Sequence, residues 1–169
     1  MKIHRRLDQD EFRTILQNSE CHHQYYTLCF AFAKPYRYRA SIDETDLTKI
    51  WMNSSAEDPH PLENRFYILA TTINQIKNNI KFLEQENPLG LNGVWIREVL
   101  ADLVSGKRQI GSTPPYILDI DPIDGDKGPY IIDGMHTLVA YGLWANHTFP
   151  IPILYFTSQE EIIGQVGTH

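Results

Sequence analysis

Cysteine is scarce in this chain: Cys21 and Cys29 are the two among 169 residues, too few for a disulfide scaffold. They flank an apolar, aromatic stretch, and reduced structural thiols are the expectation. No apolar run reaches the length that a bilayer span needs. No basic start leads into an apolar core of the kind a secretory signal has, so cytoplasm is the default compartment. An excess of positive charge is missing too. Lys and Arg number 15 against 21 Asp and Glu, a formal net charge of -6, which disfavours passive adhesion to nucleic acid or an anionic membrane. Internal repeats and low-complexity segments are absent. What remains is ordinary: 42% hydrophobic and 21% charged residues, the composition of a globular protein, with a length that suits one domain over 1–169.

The first 105 residues read as mostly helical. Asp8 is placed to cap a helix through Phe12, Ile15 and Leu16. Gln24 to Tyr38, dense in Tyr, Phe and Leu, suggests a strand or a pair of strands. Ser41 precedes Glu44 by three residues, a capping-box spacing that opens a short helix through Leu47, Ile50 and Trp51. After a polar loop from Asn53 to Pro61, the spacing of Phe66, Leu69, Ile73, Ile76, Ile80 and Leu83 predicts a long helix over Leu62–Glu86, ended by Asn87-Pro88. Another helix is expected from Leu91 to Ser105, stopped at Gly106.

Beyond Gly111 the pattern changes to strands. Tyr116–Ile120 and Tyr130–Ile132 flank the turn formers of Asp121–Gly128, a hairpin signal. Asp133-Gly134 ends the second strand, and Met135–Asn146 is apolar enough for a buried helix. Ile151–Phe156 reads as a final strand, and Ser158 as the cap of a terminal helix carrying Glu160 and Glu161.

A strand that ends in Asp-Gly and turns at once into a buried helix has chemical consequences. Gly134 permits a tight backbone and close approach of a ligand. The amides of Met135, His136 and Thr137 would lead the helix unpaired, a setting suited to phosphate. His136 can donate a hydrogen bond, accept a proton or bind metal near neutral pH. Thr137 adds a hydroxyl, and Asp133 a carboxylate able to hold magnesium or orient water. The same residues have a plainer reading: Asp133 and Gly134 as a helix-entry turn, His136 as a satisfied structural histidine.

The run Tyr130-Ile131-Ile132-Asp133-Gly134-Met135-His136-Thr137-Leu138-Val139-Ala140-Tyr141 resembles the signature turn of the ParB/sulfiredoxin superfamily. In that fold a strand ends in an acidic or small residue plus Gly, and a helix begins with a His-Arg or Arg-Arg pair. The resemblance spans residues 108–157, including the Phe149-Pro150-Ile151-Pro152-Ile153-Leu154 strand; residues 1–105 show none. It implies an α/β (α+β) fold, with a small mixed sheet of this type in 106–169 and additional helices before it. It also implies a nucleotide such as ATP, with magnesium, and a protein that hydrolyses ATP or cleaves phosphodiesters for a plasmid or other mobile element.

Two departures qualify the resemblance. Sulfiredoxins carry a catalytic Cys immediately before the His, where this chain has Met135, which offers no thiolate for sulfinic acid reduction. The Arg that usually follows the His and grips phosphate is Thr137. Lys107, Arg108 and Lys127 are the candidate basic replacements, beside the backbone at Gly134, Met135 and Thr137. In the implied mechanism Asp133 orients metal or water and His136 moves a proton. The alternative is a degenerate site, leaving an adaptor or inhibitor of a partner protein in a transfer, secretion or defence machine.

Other motifs compete for attention. Asp119, Asp121, Asp124 and Asp126 lack the EF-hand spacing, and a solvated turn is expected. Cys21-His22-His23 with Cys29 fits no standard zinc finger, so no metal site is assigned. Lys34-Pro35-Tyr36-Arg37-Tyr38-Arg39 alternates basic and aromatic residues, which puts Arg37 and Arg39 on one strand face able to contact nucleic acid, or simply at a solvated edge. Sequence-specific DNA binding is disfavoured by charge and by the lack of a helix-turn-helix pattern.

Overall fold

Alternating burial along the strands separates two apolar faces of one sheet. Tyr38, Ala40, Ile42, Ile117, Ile131, Ile151, Ile153 and Tyr155 pack on one side, while Tyr116, Leu118, Leu154 and Phe156 pack on the other. That is the period-two signature of strands covered on both faces. The computed structural model describes residues 1–18, 33–53, 66–84, 89–119, 128–144, 149–161 and 163–164. Within them lie seven strands: β1 (Lys2–Arg6), β2 (Tyr36–Ile42), β3 (Trp51–Asn53), β4 (Phe66–Ile68), β5 (Tyr116–Leu118), β6 (Tyr130–Asp133) and β7 (Ile151–Thr157). Four α-helices accompany them: α1 (Gln9–Asn18), α2 (Leu69–Asn78), α3 (Gly93–Val104) and α4 (Met135–Leu143).

The strand order is β1-β2-β7-β5-β6-β3-β4. The sheet is mixed: β5 runs parallel to β7 and antiparallel to β6, and β3 meets β6 in parallel through Trp51 and Tyr130. Strand β7 has the most continuous apolar run, as expected of a strand buried on both faces; it pairs with β2 from Tyr36–Thr157 to Ile42–Ile151. Helix α1 covers one face, where Phe12 joins Tyr116, Leu118, Leu154 and Phe156. Helices α2, α3 and α4 cover the other through Ile73, Ile76, Ile96, Leu103, Leu138 and Tyr141.

Several sequence expectations hold. Asp8 caps α1, its Oδ1 accepting from the Glu11 amide at 2.6 Å. Helix α3 begins after Asn92, whose Oδ1 accepts from the Val94 and Trp95 amides. β5, β6, α4 and β7 fall where the carboxyl-terminal pattern puts them.

Others are corrected. The amino-terminal 105 residues supply four of the seven strands, rather than a mainly helical lobe. β1 was not foreseen, because its sequence buries Ile3 alone, a pattern suited to a charged edge strand. The long helix expected over Leu62–Glu86 is replaced by β4, α2 and a 3-10 turn at Ile80–Leu83. Asn79, with φ -139 and ψ 81, breaks it, and Ile80, assigned to the apolar stripe, is exposed. The helix expected from Ser41 is a short 3-10 turn at Asp46–Thr48. Ser41 lies inside β2, and Asp43 does the capping by accepting from the amides of Thr45 and Asp46. No helix forms over Ser158–Glu161; Ser158 follows β7 directly. The Cys21-His22-His23 and Cys29 cluster, the Asn53–Pro61 loop beyond Asn53, Asn87-Pro88 and the acidic turn from Asp121 to Lys127 lie outside the described residues. Among the described residues no helix is long and apolar enough to cross a membrane.

Candidate functional site

The β6–α4 junction is built around Gly134. Its φ of 77° is left-handed, a conformation that costs other residues about 1–2 kcal/mol. A Cβ there would also lie 2.9 Å from Pro115 Cα, so the turn is packed against the strand leading into β5. Glycine is required on both counts. The Leu138 amide donates to Gly134 O at 2.8 Å, closing the first turn of α4. The amides of Met135, His136 and Thr137 therefore lead the helix without intrahelical acceptors, and Asp133 ends the preceding strand. Further along, α4 is held close to α2, since a Cβ at Gly142 would lie 2.3 Å from Ile73 Cδ1.

His136 makes a contact that its sequence position does not reveal. Its Nε2 accepts from the Asn92 backbone N–H at 3.1 Å, which fixes the neutral ring with its proton on Nδ1. The Trp95 ring meets the imidazole edge-on at 5.1 Å. Burial pushes the imidazole below its ordinary pKa range, opposed by the Asp133 carboxylate. The histidine thus fastens the start of α4 to the start of α3 through a lone pair that a proton would remove. Of its two ring nitrogens only Nδ1 is left for other chemistry.

The three candidate basic residues separate. Lys107 is exposed and paired with Asp102 at 3.3 Å. Lys127 is outside the described residues. Arg108 is half-buried, its amide donating to Asp102 O at 3.0 Å, and its guanidinium lies beside the Tyr141 hydroxyl together with Gly111. Tyr141 stands one helical turn after Thr137, on the same side of α4. Burial raises its hydroxyl pKa, while the Gly111 amide and Arg108 pull it down. Neither neighbour forms a hydrogen bond of good geometry with this hydroxyl, which is buried without a partner.

Arg37 and Arg39 do share a strand face, but α1 lies over it. The Arg37 guanidinium sits 4.5 Å from the Phe12 ring centroid, and burial followed by the charge of Arg6 lowers its pKa. Arg39 Nε donates to Glu11 Oε1 at 3.1 Å, and Arg5 engages the same carboxylate. Their charge is spent on α1 rather than offered as an open phosphate track.

Among the described residues no three His, Cys, Asp or Glu side chains converge as a metal site. A magnesium ion at the turn would rest on Asp133, phosphate oxygens and water. Asn92, Trp95, Pro115 and Tyr141 are the residues that sequence reasoning did not assign. Asn92-Gly93 before an apolar helix was a readable cap signal; the others become neighbours of the turn only through long-range packing. Compared with family models, curated proteins and solved structures, the chain matches none of them.

Proposed function

We propose that this protein binds a nucleotide through its phosphates at the Asp133–Thr137 turn, as a ParB/sulfiredoxin-like unit, and hydrolyses ATP or a phosphodiester there. The observation that carries this reading is the left-handed Gly134 turn, packed on Pro115, which presents the three leading amides of α4. Arg108, half-buried after α3 and beside Tyr141 of α4, takes the place of the Arg that the signature has after its His. Asp133 orients the attacking water or its metal. His136 acts chiefly by position, through Asn92, and keeps α4 aligned with α3.

A thermal-shift series with ATP, ADP and CTP, with and without magnesium, tests the binding step. At least one nucleotide should raise the melting temperature, and Asp133→Ala should then abolish turnover while keeping that shift. No shift with any of the three would end the nucleotide reading.

One observation favours the second reading, a non-catalytic adaptor or inhibitor of a partner protein. The Nε2 of His136, the expected proton carrier, is already engaged by Asn92. Nucleotide binding without phosphate release, at any metal tested, would select it.

A further inference from the structure

Helix α3 leaves one large ring at the surface beside the turn. Trp95 is 53% exposed, and the other large apolar side chains that are exposed among the described residues, Ile80, Val94, Val104 and Ile163, are aliphatic. An indole carries a large apolar area, and holding it half in water forgoes the gain of burying it. Its place makes that exposure informative. The Asn92 side chain accepts from the Trp95 amide at 3.2 Å, while the Asn92 backbone N–H donates to His136 Nε2 at 3.1 Å. The indole and imidazole rings meet edge to face, their centroids 5.1 Å apart. One residue, Asn92, thus fixes both the backbone of Trp95 and the ring of His136. The indole stands one histidine side chain away from an amide that opens α4.

We infer that Trp95 is the stacking platform for the base of a nucleotide whose phosphates sit at the Asp133–Thr137 turn, and that it selects nucleotides over bare polyphosphate. The inference rests on the nucleotide reading of that turn. In a mononucleotide a sugar separates the base from its phosphates, a span comparable to the imidazole that separates the indole from the His136 amide. Every base has a π-face, and an aromatic ring at the surface takes one without a closed pocket. Stacking covers indole area that water now touches, on the part of the ring that the imidazole does not meet. It reads no base edge, so purines and pyrimidines are both accepted, and purines, with the larger face, bind more tightly. The role is binding alone, because no bond of the substrate changes at Trp95.

The test measures ATP, CTP and inorganic tripolyphosphate by calorimetry on the whole protein, in wild type, Trp95→Ala and Trp95→Phe. Trp95→Ala should bind ATP about tenfold or more weakly than wild type, the size of one stacked base, and should lose less with CTP. Tripolyphosphate, which has no base, should bind both proteins equally. Trp95→Phe should keep most of the ATP affinity. ATP should also quench part of the tryptophan emission of wild type, and that part should be missing from Trp95→Phe, which retains Trp51 and Trp144. This emission arm decides the matter even where Trp95→Ala folds poorly. A quench of the same size in Trp95→Phe, or ATP affinity that survives Trp95→Ala in full, would overturn the platform and leave the nucleotide reading standing. Equal losses of ATP and tripolyphosphate in Trp95→Ala would make Trp95 a support for His136 and would also overturn it. If wild type binds neither nucleotide, that reading falls and takes the platform with it.

Discussion

Arg37 and Arg39 on the α1 side of the sheet and Arg108 on the α4 side are all half-buried, but their surroundings differ in the supply of acceptors. Helix α1 brings Glu11 to Arg39 and Arg5, and the face of Phe12 to Arg37. Helix α4 brings Arg108 a tyrosine hydroxyl and no carboxylate. A guanidinium that already has an acid or an aromatic ring is part of the fold. One that meets only a neutral hydroxyl has no opposite charge on its covering helix. Basic residues thus point to a ligand through what their covering helix fails to provide, rather than through their density in the sequence.

Two substitutions would break this contrast outright. Phe12→Ala should cost about 3–5 kcal/mol, the range for a fully buried aromatic. It empties the cluster under Phe156, whose ring lies 5.4 Å away, and removes the surface on which Arg37 rests. Urea unfolding should show the midpoint falling at an unchanged slope. Gly134→Ala acts on the other side and should cost about 2–4 kcal/mol, combining left-handed strain with the close approach to Pro115. A cost below about 1 kcal/mol would mean that the turn relaxes easily and is not the rigid phosphate cradle described above.

The contrast also explains what was legible from sequence. β6, the Asp133-Gly134 turn, α4 and β7 were readable because each is a local pattern: an apolar run, a helix-breaking pair, an apolar helix. Helix α1 was readable from Asp8 and the spacing of Phe12 and Ile15. The sheet's outer half was not. β3 and β4 are three residues each, and Phe66, three residues before Leu69, falls in phase with the stripe of α2, so helical periodicity absorbed β4. The fate of the arginines was hidden for a different reason. Whether Arg39 meets Glu11, or Arg108 meets Tyr141, depends on pairs 28 and 33 residues apart, and no window of local sequence contains both partners.

A third variant sharpens the α4 side. His136→Leu leaves the Asn92 amide without its acceptor and should cost about 1–2 kcal/mol, a lost hydrogen bond at a partly buried donor. Its pH dependence is the more specific readout. The folded imidazole titrates below its ordinary value of 6.5 because of burial, so below that pH the unfolded chain binds more protons. His136 therefore contributes stability that is fully present above the unfolded pKa and is lost as pH falls towards the folded one. Chemical denaturation between pH 8 and 5 should show wild type losing stability faster than His136→Leu over the acidic part of that range. Parallel curves would remove His136 from the account of acid sensitivity.

The smallest effect is expected where the fold has already supplied the acceptor. Glu11→Gln keeps the shape of α1 and removes the charge shared by Arg5 and Arg39. These pairs are solvent-screened, so the loss of stability should be slight and should shrink further in high salt. The carboxyl is held below its ordinary pKa, first by the hydrogen bond from Arg5. Its contribution is present above the unfolded carboxylate pKa and lost as pH falls through the folded one. A difference between wild type and Glu11→Gln at pH 7 that vanishes in strong acid is the expected signature. Beyond stability, the variant frees two arginines on the α1 side. If acceptors decide which arginines bind anions, Glu11→Gln should gain weak, salt-sensitive phosphate binding there, and Arg39→Gln in the same background should remove it. A variant that gained none would show that the absence of an acid is not sufficient to make an arginine bind an anion.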